Sequence, residues 1–329
     1  MLSPMSPSCP SDRRRFLSGM LALSAQAGLL LGCEQPGPPL RVSTNPWPAY
    51  DVLHVAKALG LLDQRGLQVD LLANDSPGSS RRALERGLVD GFCSTLVEVL
   101  QVANTTGLCP RILAVLDHSS GADVLVGREG MISPYDLRHK RIAIEPGTVH
   151  LQLLTLALES VQLLVSDVVL VPTPQPAMPA AFADGLVDGA VCFPPESNRL
   201  VELGGRVLFT SARVPGQIVD VLTFSPLCVE RRGAELQRLV QVYFLVQEMV
   251  QQGHPASLQT MAQREGVSLS ELQQTMAGVA FVGREAQARL LHPQGSVAQA
   301  MDTLQSAMQA LGLLQRRRPV ADFFGPAGA

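Results

Sequence analysis

Aromatic residues are scarce in this chain: they make up 4% of 329 residues, with a single Trp, so an aromatic on a loop stands out as a candidate contact. Charge is sparse too, and the first 32 residues carry a net +2, which leaves −5 on the remainder of a chain whose total is −3. A mildly acidic body lacks the basic face that phosphate backbones require, and this excludes nucleic acid as a partner. No run of 18 or more apolar residues occurs, so no segment reads as a stable membrane-spanning helix. The six His show no H-x-x-x-H spacing, and Cys93, Cys109, Cys192 and Cys228 lie too far apart for a metal pattern. No cofactor or metal is therefore expected. Nor is there a Ser–His or Cys–His arrangement in a diagnostic context, or a phosphate-cradling glycine loop, which argues against an enzyme. Buried free thiols are the default reading of the four cysteines, with pairing left open.

What is present begins with an address label. Arg13-Arg14-Arg15-Phe16-Leu17 precedes the apolar stretch Gly19–Leu31, and Gly32-Cys33 follows. Basic residues ahead of a short apolar segment form an export signal. The arginines resemble a twin-arginine signal, with Asp12 where that motif prefers Ser or Thr. Leu30-Leu31-Gly32-Cys33 resembles a bacterial lipobox. Residues 1–32 thus read as a signal peptide and Cys33 as the lipidated N-terminus. Residues 33–39, rich in Pro and Gly, read as a flexible tether.

The folded part contains an internal repeat. Ala83-Leu84-Glu85-Arg86-Gly87-Leu88-Val89-Asp90-Gly91 returns 98 residues later as Ala181-Phe182-Ala183-Asp184-Gly185-Leu186-Val187-Asp188-Gly189, with six of nine positions identical. Each copy reads as a helix closed by Gly and followed by a strand. Upstream, Arg41–Asn45 and Arg141–Glu145 each read as a strand stopped by Pro. Apolar helical spacing over Val52–Leu61 and Val149–Leu158, then strands at Leu67–Leu72 and Val168–Val171, complete a β-loop-α-β-α-β order in both halves. Ligands of such sheets bind beyond the carboxyl ends of the strands, and two facing halves would make one cleft. Ile218–Phe224 reads as a strand returning to the first half, followed by helices over 230–251, 256–264, 268–279 and 296–313.

With these residues in order, the chain resembles the type II periplasmic binding proteins, in particular the nitrate/sulfonate/taurine and thiamine-precursor branch of ABC importers. The marks are Asn45-Pro46-Trp47-Pro48-Ala49-Tyr50, Ala58-Leu59-Gly60-Leu61-Leu62, Gly66-Leu67-Gln68-Val69, Gly87-Leu88-Val89-Asp90, Asp117–Asp123 and Asp136–Ala143. Cys192-Phe193-Pro194-Pro195-Glu196 departs from the family pattern by its doubled Pro. The resemblance implies an α/β fold of two lobes with mainly parallel sheets and a hinge. Lobe 1 would take residues 40–122 and 220–329, and lobe 2 residues 123–219. It implies a lipid-anchored protein at the outer face of a bacterial membrane, monomeric, that captures a sulfonate-, amine- or pyrimidine-like solute for an ABC permease. A ligand-sensing lipoprotein is the alternative, and an enzyme of thiamine or menaquinone precursors a more distant one.

The candidate ligand contacts follow from position. Asn45, Trp47 and Tyr50 stand on the first-lobe loop, where Trp47 offers a stacking wall. Ser79 and Ser80 are expected to precede a helix starting at Arg81, and Thr148 to cap the corresponding helix of the second half, where free backbone N–H groups would suit an anion. Arg81 and Arg82 read as a solvated helix face. Ser94 and Thr95 follow the first repeat strand; Phe193 and Glu196 follow the second. Asp117, Asp123 and Asp220 stand near the crossovers, where a carboxylate would bind an amine or fix the hinge.

Overall fold

Successive residues of each central strand alternate between two separate apolar cores, and this alternation places helices on both faces of each sheet. The computed structural model describes residues 37–325. The signal, the lipobox and Cys33 lie outside the described residues. From Leu40 onward the order is β1 (Leu40–Thr44), α1 (Pro48–Ala58), β2 (Val69–Ala73), α2 (Pro77–Glu85), β3 (Gly91–Thr95), α3 (Leu96–Thr106) and β4 (Arg111–Ser119). Then come β5 (Val124–Gly127), β6 (Arg141–Ile144), α4 (Val149–Glu159), β7 (Val169–Pro172), α5 (Met178–Ala183), β8 (Gly189–Cys192), α6 (Glu196–Glu202) and β9 (Arg206–Thr210). The chain closes with β10 (Val219–Phe224), α7 (Pro226–Gln251), α8 (Pro255–Glu265), α9 (Leu269–Ala277), β11 (Val279–Phe281), α10 (Gln287–Leu290) and α11 (Ser296–Ala310).

The strands form two sheets, in the orders β11-β4-β10-β3-β1-β2 and β7-β6-β8-β5-β9. The repeated strands β3 and β8 stand in different sheets, as two matching halves require. Each half contributes a parallel trio, β2-β1-β3 and β7-β6-β8. Antiparallel strands extend both trios: β10, β4 and β11 in the first sheet, β5 and β9 in the second. In the first sheet Cys93 and Leu222 face a core with α1, α7 and α8, while their neighbours Phe92 and Val221 face one with α3 and α11. In the second, Ile142 and Val191 pack under α4, while Ala143 and Ala190 face the core around α5.

Among the described residues, two connections pass between the sheets, 120–123 and 211–218. They are tied together: Ser119 Oγ and Ser211 Oγ lie 2.7 Å apart, Gly121 N donates to Ser211 Oγ at 2.7 Å, and Ser211 N donates to the Asp123 carbonyl at 2.9 Å.

The structure gives the echoed glycines a shared cause. Gly87 and Gly185 end their helices at φ +68° and +70°, a left-handed conformation that side chains resist. Gly91 and Gly189 sit where a partner strand comes too close for a side chain: a Cβ on Gly91 would lie 2.5 Å from the Thr223 carbonyl oxygen, and one on Gly189 2.8 Å from that of Val126. The echo carries a matched ion pair as well. Arg41 grips Asp90 through Nη2 at 2.7 Å and its own N–H at 2.9 Å, and Arg141 grips Asp188 at 2.9 Å through both groups. Gly91→Ala is expected to cost roughly 1–3 kcal/mol by overpacking against a carbonyl that cannot rotate away. Gly87→Ala, with open space around it, costs about 1–2 kcal/mol from backbone strain alone. Urea unfolding of both variants measures the two costs, and an unchanged midpoint for Gly91→Ala contradicts the steric account.

One sequence expectation is corrected. The helix expected to start at Arg81 starts at Pro77, capped by Ser76, whose Oγ accepts from Ser79 N at 3.2 Å. Pro at the first helical position is pre-set for helix and lacks the N–H that would go unpaired there, so the start moves back one turn.

Candidate functional site

The carboxyl ends of β1 and β3 point toward the second lobe, and the chain beyond them builds a small polar cavity. Eleven residues line it: Asn45, Trp47, Tyr50, Pro77, Ser94, Thr95, Glu98, Asp123, Val149, Phe193 and Asp220. Eight of these are sequence candidates. The free space is about 10 Å³, roughly one water, so a larger solute requires the lobes to part.

Trp47 precedes Pro48 at the start of α1 in an extended conformation, with φ −173°. Its ring meets Phe193 of the other lobe edge-to-face, with centroids 5.5 Å apart, and the Tyr50 ring at 6.4 Å. The indole Nε1 donates to Asp117 Oδ2 at 3.0 Å, and the Tyr50 hydroxyl donates to Asp220 Oδ1. Asp117 and Asp220 are direct partners in the β4–β10 ladder, and Asp220 also faces Thr95 of β3. Residues directly opposite in such a ladder place their side chains on the same face, close together. Asp117 and Asp220 hydrogen-bond each other there, and Ser94 Oγ is buried with no hydrogen-bond partner.

Thr95 caps α3 in a capping box with Glu98. Glu98 is completely buried. Its Oε2 accepts from Thr95 N at 2.9 Å and from the Thr95 hydroxyl, while its Oε1 reaches across the cleft to accept from Val149 N at 2.9 Å. A second bridge runs from Ser76 Oγ to Glu145 Oε1 at 2.8 Å, with Arg82 3.9 Å from the same oxygen. These bonds and the Trp47–Phe193 contact hold the lobes together.

Desolvation dominates the titration of the site. It raises Asp117 to about 8, with Asp123 adding repulsion, and Asp123 to about 7. Burial raises Asp220 far above the carboxylate range, and the charge of Asp117 adds to it. Glu98 is raised for the same reason, although its hydrogen bonds pull it back. Burial lowers His150 to about 4; its Nε2 lies 3.0 Å from Gln175 Oε1, and Gln175 Nε2 donates to Glu196 Oε2 at 3.0 Å.

The remaining candidates stand apart from this cavity. Ser79 bonds Ser76 and Arg82, while Ser80 is buried against Ser43. Thr148 caps α4 and lines a separate, apolar cavity of about 240 Å³ between α3, α4 and α11, whose one ionisable lining residue, Glu159, is exposed. Glu196 contacts Gln175 rather than the cavity, and Arg81 pairs with Glu85. The polar cavity is the candidate site because buried aromatics and acids converge there, whereas the larger space is mainly apolar. Sequence reading missed Glu98, whose signal was the T-x-x-E box beginning at Thr95.

Two layered lobes joined by two connections, with a cleft at the strand ends, define the fold of the type II periplasmic binding proteins. The NMT1-like family model matches residues 34–265, and the chain belongs to that family. Among solved structures, it resembles the alkanesulfonate-binding protein SsuA from Xanthomonas axonopodis pv. citri bound to MOPS. The TM-score there is 0.76 at 19% identity, over 88% of this chain and 98% of that one. The aliphatic sulphonate binding protein SsuA from Escherichia coli gives a TM-score of 0.71 at 18% identity, over 88% of this chain and 98% of the other. The desulfurization enzyme DSZB gives 0.59 at 20%, over 87% and 96%. No curated protein matches the sequence.

Proposed function

We propose that this chain is an extracytoplasmic solute-binding protein that captures a small organic molecule between its lobes and delivers it to the permease of an ABC importer. The observation that carries the reading is the meeting of Trp47 and Phe193, one from each lobe, over a cavity lined by buried acids. A solute there contacts both lobes, so its binding energy favours the closed arrangement over the open one. The similarity to SsuA proteins supports the transport role, and the lipobox at Cys33 supports anchoring to the membrane through lipid; the chain is taken to act as a monomer.

A binding role rather than catalysis fits the chemistry of the site. The enzyme DSZB shares the fold, but neither Cys nor His lines this cavity. Cys93 and Cys192 are buried, and desolvation raises both thiols, which keeps them protonated and poorly nucleophilic.

Trp47 is the only Trp, so its fluorescence reports the cleft directly. In a panel of small solutes, the true ligand is expected to shift Trp47 emission and raise the melting temperature together. Phe193→Ala is expected to weaken that ligand roughly tenfold, as loss of an aromatic wall does, with little change in the fold. A panel in which no solute moves either signal overturns the capture role.

A further inference from the structure

The cavity is built for a charge opposite to that of a sulfonate. None of its lining residues is Lys, Arg or His, while three are acids, Glu98, Asp123 and Asp220, and Asp117 lies beside Asp220 in the ladder. The guanidiniums around the cleft are engaged elsewhere: Arg81 with Glu85, Arg82 with Ser79 and Glu145, Arg264 with Asp51. Three neutral donors beside the cavity are also engaged. The Trp47 indole serves Asp117, the Tyr50 hydroxyl serves Asp220 and the Thr95 hydroxyl serves Glu98. An anion placed here would find no Lys, Arg or His to compensate it, and an uncompensated buried charge costs several kcal/mol.

What the cavity offers is carboxyl groups that become acceptors once they give up their protons. Asp117 and Asp220 lie together in the ladder and hydrogen-bond each other, Ser94 Oγ is buried with no protein partner, and Asp220 and Ser94 both line the space. Asp220 is 2% exposed and Ser94 4%. The buried acid pair holds a proton in the free chain, and an ammonium head that enters can take that proton's place between the two carboxylates. A primary ammonium carries three N–H donors on one positive centre. The walls suit the rest of such a molecule, because Trp47, Tyr50 and Phe193 present ring surface to an alkyl chain and stabilise a nearby cation. Among the described residues, no group of three His, Cys, Asp or Glu is arranged to hold a metal ion, which directs the reading to an organic cation.

We infer that the captured solute is a primary ammonium compound, its head held by Asp117, Asp220 and Ser94 and its carbon skeleton packed on Trp47, Tyr50 and Phe193. This rests on the solute-capture reading and names its ligand class. It separates this chain from the proteins it resembles in fold, whose names describe sulfonate binding.

Two matched series test it on the full chain: straight-chain primary amines from propylamine to hexylamine, and the corresponding alkanesulfonates, with tetramethylammonium as a cation that has no N–H donors. Trp47 fluorescence and melting temperature are read for each. The expected result is binding within the amine series and none among the sulfonates or tetramethylammonium. Asp220→Asn is expected to weaken the best amine roughly tenfold or more, as loss of a charged hydrogen-bond partner does, and Asp117→Asn to do the same; intact melting transitions in both variants separate this from misfolding. Sulfonate binding without amine binding overturns the ammonium assignment and leaves solute capture standing. Tetramethylammonium binding as well as the amines overturns the hydrogen-bonded head. Silence from both series overturns the assignment too, and a wider panel of neutral solutes then decides whether capture survives.

Discussion

Above about pH 6.5 the ligand-free chain is expected to lose thermal stability steadily to about pH 9, and Asp117→Asn is expected to remove a large part of that loss. Free Asp titrates near 4, but burial holds Asp117 to about 8 and Asp123 to about 7. In the unfolded chain both lose their protons near pH 4; folded, they keep them to much higher pH. Their contribution is therefore complete below the unfolded value and disappears as pH rises through 7 and 8. Asp220 and Glu98, also raised, act in the same direction, as do Asp51, raised to about 6, and Glu265.

Two histidines, His150 buried and His54 half-buried, act in the opposite direction, but in another window. His150 is lowered to about 4 and His54 to about 3, mainly by burial. Their contribution is present above the ordinary His value of 6.5 and is lost as pH falls toward the folded values. Between about pH 4 and 6.5 the two sets oppose each other, and above that range the acids act alone. Nearby groups do not reverse the trend: His118, next to Asp117 in β4, is lowered by burial, and Trp47 donates to Asp117 in either state. Calorimetric melting temperatures of the parent and Asp117→Asn across this range measure the effect. A parent profile that is flat or rising above pH 6.5 would show that the acid cluster is not desolvated in solution.

The same cluster shows where sequence reading succeeds and where it stops. The echo from Ala83 to Gly91 revealed two halves because each Gly answers a local need, a left-handed helix end or a close carbonyl. Such needs leave a mark at one position, whatever surrounds it. The matching pairs Arg41–Asp90 and Arg141–Asp188 bridge more than forty residues, so neither residue announces its partner. Asp117 and Asp220 were readable as acids near the crossovers. That they stand opposite each other depends on antiparallel pairing across a whole lobe, which local pattern does not encode. Ser79 and Ser80 read as caps because hydroxyls favour helix starts; Pro77 and Ser76 one turn earlier supply a stronger start. Glu98 shows the converse. Its capping box was visible, but the bond from its other oxygen to Val149 joins two lobes, and only the fold brings them together.

Arg264→Ala is expected to be among the most damaging substitutions in the chain, although Arg264 stands far from the cleft in sequence. Asp51 is completely buried; the Nε of Arg264 donates to its Oδ1, and Glu265, itself pushed up by burial, hydrogen-bonds the same carboxyl group. The same guanidinium reaches Thr44 Oγ1 at 3.4 Å and the Asn45 carbonyl at 3.5 Å, so it also fixes the loop that carries Trp47. Removing it leaves a buried carboxylate beside Glu265 with no countercharge, and breaking such a pair from one side costs roughly 3–5 kcal/mol. Asp51 can escape part of that cost by taking up a proton. Even with Arg264 present, burial raises it to about 6, so the loss is expected to be smaller at acidic pH than at alkaline pH. Asp51→Asn in the Arg264→Ala background removes the orphaned charge and is expected to recover most of the lost stability, by the logic of a double-mutant cycle. Urea unfolding of the parent, both single variants and the double variant measures the coupling. If the double variant is no more stable than Arg264→Ala alone, the cost lies in lost packing of the long arginine side chain, not in a stranded charge.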